Sequence, residues 1–143
     1  MGAAAQLMID HPMQRVKCLI YSHHIRNRSK IKTILDLSHQ YSVTGVFKVG
    51  RPGYIFIDGD EAAVHNSETA IKVVTFWKAD LTSQRLRWQY ISISLRETYK
   101  ATQSDLYDQK MVKVETMAEI WEYMRAKQLE NFFAKALGPT SKR

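Results

Sequence analysis

The chain has 143 residues, 45% apolar and 24% charged, which is the length of about one domain and the composition of a folded one. Its single cysteine, Cys18, excludes a disulfide framework or a cysteine-built zinc cage within the chain. The net charge of +7 is uneven: residues 1–57 carry eight Lys/Arg against Asp10 and Asp36, whereas residues 58–143 carry 13 against 12 acidic residues.

Residues 1–14 are Ala-rich, then polar, and contain Pro12, so they read as a flexible lead-in. Val16-Lys17-Cys18-Leu19-Ile20-Tyr21 is β-prone and largely apolar, which predicts a central strand. A basic connection from Arg26 to Lys32 runs into a helix with Ile31, Ile34, Leu35, Ser38 and Tyr41 on one face and Ser29 as its N-cap. Val43–Val49 and Tyr54–Ile57 form a predicted hairpin around Gly50-Arg51-Pro52-Gly53, a type II turn pattern with Pro second and Gly third. Asp58-Gly59-Asp60 ends the strand, its acidic residues reading as caps, and a second helix follows with Ala63, Val64, Ser67, Ala70, Ile71, Val74 and Trp77 at helical spacing.

From Arg85 to Leu95 a further strand is predicted, with a change of phase near Tyr90–Ile91 that suggests a bulge. Residues 96–115 are polar and poorly periodic, a long loop with some extended pairing at Met111–Val114. Thr116-Met117-Ala118-Glu119 is a capping box opening one long apolar-striped helix, from Met117 to Leu137, that Gly138-Pro139 stops. The order is β-α-β-β-α-β, the ferredoxin-like α+β motif with two helices on one face of an antiparallel sheet. The expected organisation is a lead-in (1–14), a ferredoxin-like core (15–95), a C-terminal extension packed on it (96–138) and a tail (139–143).

No run reaches the roughly 18 apolar residues of a membrane helix. The N-terminus lacks the basic region of a secretory signal, Gln6 stands where a myristoylation signal needs Ser or Thr, and Ser141-Lys142-Arg143 is no peroxisomal address. Nucleus or cytoplasm is therefore expected. His23 and His24 are adjacent on an extended segment and point apart, so no metal site is expected of them. With no P-loop, dinucleotide fingerprint or nucleophile elbow, neither a catalytic residue, a cofactor nor a small-molecule substrate is expected.

Arg26, Arg28, Lys30 and Lys32 crowd a helix N-terminus, where cations oppose the helix dipole but backbone amides favour a phosphate. His23, His24 and Arg51 extend this positive edge. Tyr54 and Phe56 share one strand face, opposite Ile55 and Ile57, and offer base-stacking surfaces if the final helix leaves them open. The expected partner is RNA, bound through the basic connection and the hairpin turn. The alternative is a protein partner, docked on the C-terminal apolar helix or on a sheet edge.

Cys18-Leu19-Ile20-Tyr21-Ser22-His23-His24-Ile25, Val43-Thr44-Gly45-Val46, Gly50-Arg51-Pro52-Gly53, Asp58-Gly59 and the closing helical segment resemble the C-terminal domain of RWD-domain-containing protein 2 over roughly residues 15–138. That family includes the C-terminal part of pre-mRNA-processing factor three, a component of the U4/U6 small nuclear ribonucleoprotein. The resemblance implies a ferredoxin-like fold and, from the splicing branch, binding of small nuclear RNA. The His-His string belongs to the RWD-protein branch. The RWD domain preceding this region in those relatives has no counterpart among these residues, which reads the chain as a piece of a longer protein or a short stand-alone member.

Overall fold

The apolar run of the first strand has no polar alternation because both faces of its sheet are covered. Residues 13–68, 91–101 and 110–138 are described by a computed structural model. Strand β1 (Met13–Ser22) leads to helix α1 (Arg28–Gln40), then to strands β2 (Thr44–Lys48) and β3 (Gly53–Asp60). Helix α2 is described over residues 61–68. Strands β4 (Ile91–Ala101) and β5 (Met111–Val114) and helices α3 (Met117–Ala126) and α4 (Glu130–Leu137) follow.

The sheet order is β4-β1-β3-β2-β5. β1 pairs antiparallel with both β3 and β4, and β2 antiparallel with β3. This is the ferredoxin-like arrangement predicted from element order, widened by β5, which runs parallel to β2 at the outer edge. Val16, Cys18 and Ile20 of β1 join Ile55, Ile57, Phe47, Ile34 and Val64 in a core on the α1–α2 side. Leu19, Val46 and Phe56 face the other way, into a second core closed by Ile120 and Met124 of α3 and Phe132 and Phe133 of α4. The C-terminal segment is thus a third layer, and its apolar stripe is spent on the chain's own sheet.

Several local expectations need correction. The N-cap of α1 is Asn27, not Ser29: its side chain accepts the Ser29 amide at 2.6 Å. Leu37, not Leu35, packs on the core beside Ile34, and Leu35 stays exposed. The hairpin turn is not type II, since its Arg51–Pro52 bond is cis and Gly50, not Gly53, has the positive φ (+90°). β4 continues through Ala101 where a loop is expected. The long final helix is two: Lys127 to Leu129 interrupt it, with Gln128 at φ +60°. Asp60 does cap α2, accepting the Ala63 amide at 2.8 Å, but Asp58 is no cap. It accepts the Tyr99 hydroxyl at 2.6 Å and lies 3.5 Å from the Arg15 guanidinium.

The bulge expected near Tyr90–Ile91 reaches outside the described residues, and β4 has a bulge of its own elsewhere. Leu95 sits opposite Leu19, and Ile93 opposite Ile20, so Ser94 is the extra residue. In an unbulged strand Ile93 and Leu95, two residues apart, would face the same side; the bulge at Ser94 sends Ile93 into the first core and Leu95 into the second. The predicted strand residues 85–90, the helix positions Ala70, Ile71, Val74 and Trp77, the lead-in up to Pro12 and the tail lie outside the described residues.

Candidate nucleic-acid interface

Two loops meet at one end of the sheet because a short bridge joins them. Ile25 N–H donates to the Gly50 carbonyl at 2.9 Å, and Gly50 N–H returns to the Ile25 carbonyl at 2.7 Å. Gly53 makes the approach possible: a Cβ there would fall 2.6 Å from Ile25 Cγ1. Buried Ile25 is the anchor, and the residues beside it are carried to the turn that bears Arg51.

His24 registers the result. Its pKa is held below the ordinary 6.5, first by burial, then by the positive charges of Lys30, Arg26, His23 and Arg51. These groups, drawn from the connection, the first turn of α1 and the hairpin, all act on His24. His24 Nδ1 is closed off from solvent without a hydrogen-bond partner, although Ser22 Oγ donates to its backbone carbonyl at 3.2 Å. An anion at this edge would therefore act on the His24 ring through its charge and not through contact with the enclosed nitrogen.

The remaining predicted residues divide. Arg26, Arg28 and Arg51 are exposed. The first turn of α1 contains no acidic residue. Lys32 reaches along the helix to Asp36 at 2.9 Å, an exposed pair of little energetic weight, and is not among the cations that act on His24. Phe56 is not a stacking surface: it is 1% exposed and lies under Phe132, ring centroids 5.7 Å apart. The second apolar layer was laid over it. Tyr54 is only half-buried, with its ring against Tyr21 at 5.7 Å and Phe133 at 6.0 Å.

Two residues at this end escaped sequence reasoning. Tyr21 shares the sheet face of Tyr54 and sits directly opposite it. Lys48 sits opposite Tyr54 on the other side, 4% exposed, and donates from Nζ to the carbonyls of Val49 (3.2 Å) and Pro52 (2.8 Å). A lysine interrupting the apolar strand Val46-Phe47-Lys48-Val49 is the signal that marked it. At the far end of the same face, Arg15, Asp58 and Tyr99 form a partly buried polar network, with Lys17 lying 5.0 Å from the Tyr99 ring centroid. Among the described residues, no group of three or more His, Cys, Asp and Glu could hold a metal ion. No helix among them is long and apolar enough to cross a membrane.

No protein-family model matches the chain. Among solved structures it is similar to acylphosphatase from Bacillus subtilis, at 12% identity and a TM-score of 0.42, over 71% of this chain and 99% of that one. It is also similar to full-length HypF in its phosphate- and nucleotide-bound form, at 10% identity and a TM-score of 0.36, over 72% of this chain and 12% of that one. The fold itself rests on the strand order and register described above.

Proposed function

We propose that the chain is a non-catalytic RNA-binding module, whose phosphate contacts come from the β1–α1 connection and the hairpin turn. The observation that carries this reading is the Ile25–Gly50 bridge, which draws together the two loops whose cations Arg26, Lys30 and Arg51 act on His24. The family resemblance in the Tyr21–Ile25 string supports it, since the splicing branch binds small nuclear RNA. Arg28 and Lys32 extend the contact along α1, and such a role fits the nucleus or cytoplasm.

The test is titration of labelled RNAs, a U4/U6-like duplex–single-strand junction and a plain single strand, at two salt concentrations. Affinity should fall with salt by a slope of about −0.7 per phosphate contacted on a single strand. Replacing Arg26, Arg28, Lys30 and Arg51 by Glu should remove measurable binding. Unchanged affinity in that variant would sink the reading.

A protein-docking role is the second reading, and one observation favours it: Val112 is exposed on the edge strand β5. Its other expected contact, the C-terminal apolar stripe, is already buried against the sheet. Binding at an apolar edge would barely respond to salt.

A further inference from the structure

We propose that the cross-strand row Tyr21–Tyr54–Lys48 is a subsite for one unpaired nucleotide, its base against the tyrosine rings and its phosphate toward Lys48 and the Arg51 turn. The inference rests on the RNA-binding reading and deepens it, by naming the aromatic surface and the single-stranded form of the ligand.

Three observations converge on this row. It is at the hairpin end of the face that α3 and α4 cover, with Tyr21 opposite Tyr54 and Tyr54 opposite Lys48. The cover does not close over it: Phe132 lies on Phe56 and Phe133 meets Tyr54, while both tyrosines of the row remain half-buried. Tyr21 and Tyr54 meet edge-on at an interplanar angle of 65°, and such a contact occupies at most one face of either ring.

The third observation is electrostatic. The Lys48 ammonium is held by two carbonyl groups, and no carboxylate among the described residues forms an ion pair with it. Burying a cation without a counter-charge is costly, and burial does hold its pKa below the ordinary value. A phosphate arriving at the turn supplies the missing negative charge. Burial also raises the Tyr54 pKa, so its hydroxyl stays neutral and does not repel an anion. Aromatic faces beside fixed cations suit stacking of a free base with little sequence preference. A paired base offers no such face, so the ligand is a single strand.

The experiment compares a short fluorescent oligouridylate with inorganic polyphosphate, which has the charge and no bases. Tyr21→Leu should weaken oligouridylate binding by roughly five- to a hundredfold, with an unchanged salt slope. Tyr21→Phe should bind like the parent, and polyphosphate binding should be the same in all three proteins. Photocrosslinking of the unmutated protein to a bromouridine-substituted oligonucleotide should label Tyr21 or Tyr54, and this arm does not depend on how a variant folds. Full oligouridylate affinity in Tyr21→Leu, an equal loss for polyphosphate, or crosslinks confined to other residues would overturn the inference. If the unmutated protein binds neither probe, the RNA-binding reading fails with it.

Discussion

His24 links charge to pH in a way that can be read at a single residue. In the free protein, burial and the cations Lys30, Arg26, His23 and Arg51 disfavour its protonated form and lower its pKa. A lowered histidine pKa contributes stability that is present above the unfolded value of 6.5 and is lost as pH falls through the folded one. A bound phosphate reverses the balance, because negative charge favours the imidazolium. RNA affinity should therefore rise as pH is lowered from about 7 toward 5, and His24→Gln should flatten that rise. Anisotropy titrations at several pH values would check it; the same acid-side gain in the variant would place the proton elsewhere.

Tyr99 acts in the opposite pH range. Burial and the hydrogen bond to Asp58 push its pKa up to about 12 from 10. Raised in this way, it contributes stability that is complete below pH 10 and is lost as pH rises toward 12. In an alkaline titration followed by tyrosinate absorbance, the step that Tyr99→Phe removes should be one near pH 12, while the raised Tyr54 step should persist in that variant.

Elements were legible where local chemistry decides them. Thr116 accepts the Glu119 amide at 3.1 Å, and Glu119 Oε1 accepts the Thr116 amide at 3.0 Å, as the four-residue pattern implied. Thr116→Ala should cost about 1 kcal/mol in denaturant unfolding. Elements were illegible where distant partners decide them. Gln128 carries no breaker signal, yet the chain turns there so that α4 can lie on the sheet beside α3. β4 outlasts its apolar stretch because β1 pairs with it as far as Ala101. Asp58 looked like a cap because Arg15 and Tyr99, which claim it, are remote in sequence.

The Ser94 bulge tests the same point about register. Deleting Ser94 would make Ile93 and Leu95 consecutive residues of a regular strand, which point to opposite faces and keep their partners Ile20 and Leu19, so both cores would retain their β4 side chains. The deletion should therefore melt close to Ser94→Ala, which keeps the residue count. A deletion variant that melts far below Ser94→Ala would show that the bulge does more than set the register.

At the scale of the molecule, the sequence left open which face the C-terminal segment covers, and that question governs the site. The cationic connection could be seen from composition, and the positive edge with Arg51 followed from the hairpin. Phe56 could be placed on a face but not judged open or closed, because closure comes from Phe132, far along the chain. The same packing explains why the aromatic surface shifts to Tyr21, where the cover ends.

The two-core architecture makes a demand that either half can fail. Phe133 is fully buried between Tyr54 and Trp121, with ring centroids 6.0 and 4.6 Å away, so Phe133→Ala should cost about 3–5 kcal/mol. That is a large share of the whole stability expected for a domain of this size. Ending the chain at residue 115 goes further: it uncovers Leu19, Val46, Phe56 and Val114 together, an apolar sheet face with nothing to cover it. The shortened chain should bind a hydrophobic dye and associate in size-exclusion chromatography, while Phe133→Ala remains monomeric and merely less stable. A shortened chain that stays monomeric and melts cooperatively would mean that the first core suffices alone. The C-terminal helices would then be a detachable cover, and the face beneath them a surface that a partner could claim.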